Sequence, residues 1–314
     1  MIKYLIVLLA DSSVSFCHYQ NRNEANLIPI ETLREAILFA MKHDMRIQYV
    51  LPDFDLPHDY MEAIASMFHD NIGRLGQEEM SDVIVIDGIK ELSDNIDKLD
   101  AGIRYLVRTG LREFFTDYKT IIAVLEKNIS VNLVYTDIEI FSEKDIDTYS
   151  DRLKEISKSV KDVILRGGNA NTNILTDRIA LDAMNNCGAG DTSITLAPDG
   201  KFYPCPAFYY DNDGNYAIGS VQEWVDVRNQ KLYTLSGAPL CKRCDAYQCK
   251  RCVWLNKKLT YEVNVPSRQQ CVLAHVERNA SRDLLEALHA NNLLRQKEME
   301  AIDYLDPFDD FQRL

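Results

Sequence analysis

The 314-residue sequence lacks three features that would place it in a common functional class. The longest apolar run near its N-terminus, Tyr4 to Ala10, is far below the roughly 20 residues that cross a bilayer. No cleavage-site pattern accompanies that run, so we expect a cytoplasmic protein that does not enter a membrane. The G-x-G-x-x-G fingerprint and the P-loop are both absent, which removes the usual nucleotide sites. The six histidines form no H-x-x-x-H pair, which removes the main support for a zinc hydrolase.

Basic charge is also scarce. The chain has 35 lysines and arginines against 48 aspartates and glutamates, a formal net charge of -13. A phosphate backbone repels such a surface, so we expect no nucleic-acid partner. The length, with 46% hydrophobic and 26% charged residues, is that of a globular chain with one large or two ordinary domains.

Short apolar runs alternate with amphipathic stretches along the first half of the chain. The runs that predict strands are Tyr4 to Ala10, Arg46 to Leu51, Asp82 to Asp87, Ile103 to Thr109, Val131 to Thr136 and Asp162 to Arg166. The stretches with helical spacing are Glu31 to His43, Asp59 to Phe68, Arg112 to Asn128 and Glu143 to Lys161. Strands without polar alternation are typical of a parallel sheet buried on both faces. Six strand and helix units predict an α/β fold, either a partial barrel or a doubly wound sheet.

Cysteine is nearly missing from the first 186 residues, where Cys17 stands alone. Seven others follow within 85 residues: Cys187, Cys205, Cys241, Cys244, Cys249, Cys252 and Cys271. Disulfides are disfavoured in a reducing cytosol, so such a cluster predicts metal ligands. We therefore expect a separate cysteine-rich module.

A hairpin is predicted within this module. The Pro198-Asp199-Gly200 turn connects two short apolar runs, Ile194 to Leu196 and Lys201 to Tyr203. The hairpin would bring Cys187 and Cys205 near each other at its open end. After a gap come two C-x2-C pairs, Cys241 with Cys244 and Cys249 with Cys252, and each pair can reach one metal centre.

The residues leave iron–sulfur clusters, structural zinc and free thiols open, and two observations favour iron–sulfur. Seven thiolates do not make two four-cysteine zinc sites without a further ligand. The segment from Cys241 to Lys258 carries six cations against Asp245 alone, and cations lower the cost of an anionic cluster. The alternative explanation for these cations is a basic surface that binds a partner.

The cysteine spacing resembles the SPASM domain of radical SAM peptide-modifying enzymes, with two spacers of the second block each one residue shorter. The resemblance implies two auxiliary [4Fe-4S] clusters. The first would be held by Cys187, Cys205 and Cys252, with Ser193 and Asp191 as guesses for a fourth ligand. The second would be held by Cys241, Cys244, Cys249 and Cys271. Zinc is the alternative metal. SPASM domains follow a partial (β/α)6 barrel, which agrees with the strand count.

The radical SAM signature itself is degenerate. The family carries C-x3-C-x2-C after the first barrel strand, and here Ser13, Cys17 and Gln20 occupy those positions, with Tyr19 at the aromatic one. The Gly-Gly-Glu segment expected after the second strand reads Val50-Leu51-Pro52-Asp53-Phe54. A cluster with one thiolate lacks the ligands that iron–sulfur binding needs. We therefore expect no catalytic residues for S-adenosylmethionine cleavage, no bound S-adenosylmethionine, and a structural role for Cys17.

The nearest resemblance is to CXXX repeat peptide maturase proteins. It implies an accessory protein in the maturation of a ribosomally synthesised peptide, with an active radical SAM enzyme and the precursor peptide as partners. The alternative is a metal-stabilised peptide-binding scaffold without redox function. The expected domains are a degenerate barrel at 1–186, a SPASM domain with a hairpin at 187–275, and a closing helix with an acidic tail at 276–314. The interface would include Lys250, Arg251 and Trp254, and tail aromatics Phe308 and Phe311 would dock a partner or fray.

Overall fold

The computed structural model describes residues 2–211, 216–223, 225–293 and 299–308. Its strands are β1 Tyr4–Leu8, β2 Arg46–Val50, β3 His69–Arg74, β4 Val83–Asp87, β5 Arg104–Thr109, β6 Val131–Tyr135, β7 Ser193–Leu196, β8 Lys201–Tyr203 and β9 Gly219–Ser220. Its α-helices are α1 Ile30–Lys42, α2 His58–Ala65, α3 Ile89–Asn95, α4 Leu111–Asp117, α5 Lys119–Glu126, α6 Ile146–Leu165, α7 Thr176–Ala180, α8 Pro206–Tyr210, α9 Val253–Thr260 and α10 Arg268–His289. None of the described helices is long and apolar enough to span a bilayer.

The chain divides into two units of discontinuous sequence. The first comprises Met1–Val85, Cys187–Ala238 and Val253–Leu255, and the second comprises Ile86–Asn186, Pro239–Cys252 and Asn256–Leu314. Cysteine residues occur in both. The three-domain division remains a prediction.

Strands of the first unit pair in the order β4-β3-β2-β1-β7-β8-β9. The pairs from β4 to β7 are parallel, and β7, β8 and β9 pair antiparallel. The β1 and β2 strands are largely apolar, and α1 covers them with Leu33 and Ile37, so Leu5 and Tyr49 are fully buried. The predicted hairpin is confirmed, and Gly200 makes its turn possible because its φ of +78° is a conformation that favours glycine.

The second unit contains the parallel pair of β5 and β6, and its α6 helix packs against α10. The predicted closing helix is confirmed as α10, which begins before Cys271. A capping box fixes its start: the Ser267 side chain accepts from the Gln270 backbone at 3.3 Å, and the Gln270 side chain accepts from the Ser267 backbone at 2.9 Å. Cys271 is therefore held on a helix whose first turn is set by its own residues.

One predicted strand is wrong, and one observed strand was not predicted. Asp162 to Arg166 is the end of α6 and not a sixth strand, because Val163 continues the buried helical face that includes Ser159 and Val160. The strand that was not predicted is β3. Its polar sequence does not favour a strand, and it forms one because it pairs with β2 and β4. The polar stretch at Glu91 forms α3. Alternation of strands and helices from β1 to α6 nevertheless confirms the α/β class.

Candidate metal centre

Four of the predicted ligands surround one cavity of the second unit. Cys241, Cys244, Cys249 and Cys271 all line this space, which has a volume of about 210 Å³. The first three lie in the turns of residues 239–252, and Cys271 lies in the first helical turns of α10. The structure thus brings together the four cysteines assigned to the second cluster, and we call this space the four-cysteine cavity.

Burial makes these thiols costly to ionise. It raises the pKa of Cys241 to about 11 and that of Cys271 to about 12, and the neighbouring sulfurs add to both shifts. It also raises the pKa of Cys249, which the charges of Cys241, Cys271 and Cys244 raise further. Because the four cysteines line one cavity, ionised thiolates there would also repel one another. A bound metal would offset the cost of ionising these thiols, because metals bind thiolates and release the thiol protons.

The donor set of the cavity fits a metal site. In the described ranges, no three histidine, cysteine, aspartate or glutamate side chains converge on a point where one ion would bind. Four cysteine thiolates are the ligands used both by structural zinc sites and by [4Fe-4S] clusters.

One arginine faces these sulfurs. Arg251 lines the cavity and is only 2% exposed, and its charge lowers the pKa of Cys241 against the larger effect of burial. The predicted use of Arg251 and Trp254 at a partner interface is wrong, since both are buried within the chain. The Trp254 indole donates to Asp211 at 3.1 Å. Lys250 remains exposed, 3.8 Å from Asp177.

A network of charged groups borders the cavity next to Cys244. Asp245 accepts hydrogen bonds from Arg278 at 2.8 Å and from Arg178 at 2.8 Å. Burial alone would raise the pKa of Asp245, but hydrogen bonds from Arg278, Tyr304 and Arg178 hold it well below its usual range. Because both arginine side chains are buried, Asp245 is the counter-charge that lets them remain there.

Sequence reasoning missed His275, which lies one helical turn after Cys271. Its Nδ1 is 2.8 Å from the Cys271 carbonyl oxygen, which can only accept, so Nδ1 carries the proton. Its Nε2 then lies 3.9 Å from the Cys244 sulfur and 3.0 Å from the Tyr304 hydroxyl. The four-residue spacing from Cys271 on a predicted helix was the available signal.

The first unit holds another group of thiols. Burial raises the pKa of Cys205 well above its usual value, and the charges of Cys17 and Cys187 raise it further. Cys17 and Cys187 therefore both lie near Cys205, and the sequence did not indicate this position for Cys17. Cys252 belongs to the second unit, so Cys187, Cys205 and Cys252 remain a predicted ligand set.

The loop that would hold a radical SAM cluster is built for packing. Ser13 is fully buried, its hydroxyl donates to the Val50 carbonyl at 2.8 Å, and it accepts from the Ala10 amide at 3.0 Å. Tyr19 stacks on Tyr210 with ring centres 5.1 Å apart. Gln20 is exposed. Ser13 thus uses its hydroxyl hydrogen and one oxygen lone pair in backbone contacts, and a buried neutral hydroxyl is a poor replacement for the thiolate that an iron–sulfur cluster needs.

Comparisons with known proteins place this geometry in a fold. No protein-family model matches the chain, and no curated protein matches it. Among solved structures, it is similar to a histidine-tagged form of anSMEcpe with bound AdoMet, at 12% identity and a TM-score of 0.64 over 93% of this chain and 100% of the other. The chain has the fold of radical SAM enzymes with a SPASM domain. The sequence resemblance is thereby confirmed at the level of fold.

Two further solved structures are similar at comparable identity. Native anSMEcpe with bound AdoMet and Cp18Cys peptide gives 11% identity and a TM-score of 0.61, covering 93% of this chain and 100% of that one. Streptococcus suis SuiB bound to precursor peptide SuiA gives 12% identity and a TM-score of 0.42, covering 84% and 74%. The TM-scores of 0.64 and 0.61 for anSMEcpe establish a shared fold, and identities this low leave the activity to be argued from the sites.

Proposed function

We propose that this chain is an iron–sulfur accessory protein of ribosomal peptide maturation. The observation that carries the proposal is a contrast between two sites. Four cysteines surround one cavity in the second unit, whereas Ser13, at a position where radical SAM enzymes carry a cysteine, is a buried hydroxyl that donates to one backbone group and accepts from another. The chain retains cluster ligands and lacks those that generate a radical.

The four-cysteine cavity would hold a [4Fe-4S] cluster through Cys241, Cys244, Cys249 and Cys271. Such a cluster supplies one-electron transfer. Four thiolates leave none of its irons open, so the chain's residues there shield the group and do not bind a substrate to it. Cys187, Cys205 and Cys252 are the proposed ligands of the other cluster.

An active radical SAM enzyme and its precursor peptide are the proposed partners. Similar solved structures include one with bound AdoMet and a peptide, and this chain shares that fold. A chain that carries electrons but has no site for cleaving S-adenosylmethionine would pass those electrons to another protein. The sequence resemblance suggests a peptide with Cys-x-x-x repeats.

Metal content tests the cluster proposal. Anaerobic reconstitution of the full chain should give about eight irons and eight sulfides per chain, as two cubanes contain. The double variant Cys244→Ser, Cys249→Ser should retain about four irons, and the control Cys17→Ala should match the wild type. Zinc as the sole metal after anaerobic expression would exclude the cluster and favour a metal-stabilised peptide-binding scaffold.

Co-purification tests the accessory role separately. The tagged chain should retain a radical SAM maturase and its precursor peptide under anaerobic conditions. If neither binds at micromolar concentration, and peptide modification proceeds without this chain, the accessory role is wrong even when both clusters are present.

A further inference from the structure

The C-terminal segment of residues 299–308 forms part of the wall of the four-cysteine cavity. Tyr304, Leu305 and Pro307 line it together with the cysteines. This segment is acidic, and the sequence predicted that it would either dock a partner through Phe308 and Phe311 or fray. Phe311 lies outside the described residues. The observed position of residues 304–307 is instead against the cavity of their own chain.

Three arginines hold the segment in place. Each arginine lies on a stretch of chain that also carries a cavity cysteine. The stretches that contain the proposed metal ligands therefore also bind the C-terminal segment. The contacts are Arg243 to the Asp303 carboxylate at 2.9 Å, Arg268 to the Pro307 carbonyl at 2.9 Å and Arg278 to the Glu300 carbonyl at 2.9 Å.

Tyr304 is the innermost attachment. Its hydroxyl donates to Asp245 at 2.5 Å and lies 3.0 Å from His275 Nε2, and its ring meets the His275 ring edge-on at 5.8 Å. Both partners adjoin the cavity, since Asp245 follows Cys244 and His275 lines the wall. A hydrogen bond to a carboxylate is among the stronger ones in a protein.

We propose that residues 299–308 are a built-in cap over the four-cysteine cavity, anchored by Tyr304 on Asp245. The proposal rests on the function proposed above. The cap excludes water and oxidants from the sulfurs, so no partner is needed to cover this cluster. The ion pair between Arg243 and Asp303 contributes little to holding the cap in place, because the two side chains are 63% and 76% exposed and solvent screens such pairs.

Thiol accessibility in the metal-free, reduced full chain tests the cap without a cluster. Alkylation of Cys244 by iodoacetamide, followed by mass spectrometry, should be about ten-fold faster or more in Tyr304→Ala than in wild type, which corresponds to about 1.4 kcal/mol of opening free energy. The matched control Asp303→Asn should change the rate by less than about three-fold. Equal rates in wild type and Tyr304→Ala would refute the cap.

A second measurement uses the reconstituted chain. Visible absorption of the cluster should bleach faster in air for Tyr304→Ala, while Tyr304→Phe, which keeps the ring and loses the hydroxyl, should lie between that variant and wild type. Unchanged bleaching in both variants would overturn the cap and leave the cluster proposal standing. If wild type assembles no cluster, the proposed function fails, and the alkylation rates still decide the cap.

Discussion

Replacement of the buried Glu277 by glutamine should remove a pH dependence of stability. Glu277 lies on α10, is 6% exposed, and accepts from the Tyr149 hydroxyl at 2.7 Å and from the Gln248 amide at 3.2 Å. Burial raises its pKa from 4.5 to about 7, against the lowering effect of those two donors.

The magnitude follows from the size of this shift. Between pH 4.5 and about 7, the folded chain keeps a proton that the unfolded chain loses. Stability therefore falls as pH rises through that window, by about 1.4 kcal/mol for each pH unit and about 3 kcal/mol in total. Glu277→Gln has no proton to lose in this pH range, so we expect the variant to lack this decline.

Hydrogen exchange of α10 peptides in urea, followed from about pH 4.5 to about pH 8, measures the effect. The free energy of opening of wild type relative to Glu277→Gln should fall by about 3 kcal/mol across this range. Tyr149→Phe is the matched comparison, because loss of its hydroxyl raises the pKa of Glu277 in the folded chain, so the decline should start at the same pH and extend to higher pH. A constant difference between wild type and Glu277→Gln would show that Glu277 is ionised in the folded chain, and the reasoning would be refuted.

Two other predictions concern the charged network and the degenerate signature. Asp245→Asn leaves Arg178 and Arg278 buried without their counter-charge, and it should lower the free energy of unfolding of the second unit by about 3 to 5 kcal/mol, measured by urea unfolding at pH 7. The difference between wild type and variant should shrink as pH falls below about 4, because the wild type then loses the stabilisation that ionised Asp245 provides. Incubation of the isolated, reconstituted chain with dithionite and S-adenosylmethionine should yield no 5′-deoxyadenosine above background, and sustained turnover would contradict our interpretation of Ser13.

Sequence patterns predicted most strands because their apolar runs are continuous. They failed where local sequence and pairing disagree. Residues 69–74 read His-Asp-Asn-Ile-Gly-Arg, which no propensity favours, and β3 forms because β2 and β4 supply backbone partners on both edges. Conversely, Val163, Ile164 and Leu165 resemble a strand locally, while the spacing from Val160 to Val163 belongs to a helix.

The site was predictable to the extent that spacing encodes it. The resemblance of the cysteine spacing to the SPASM pattern implied Cys241, Cys244, Cys249 and Cys271 as one set, and all four line the cavity. Spacing could not reveal Tyr304, because it lies 29 residues after His275 in the sequence. Nor could it reveal that Arg251 turns inward, since six cations in one segment look alike until their burial is known.

The capping box at the start of α10 has a consequence for how the proposed cluster site would assemble. Ser267 and Gln270 fix the first helical turn through their own hydrogen bonds, so the backbone of Cys271 is placed by α10 itself. The other three cysteines lie in residues 241–249, which are held on α10 where Gln248 donates to the Ala274 carbonyl at 2.7 Å and Asp245 accepts from Arg278 at 2.8 Å. Ordering a residue costs roughly 1 to 2 kcal/mol, so these contacts would already meet much of the entropic cost of assembling the proposed site.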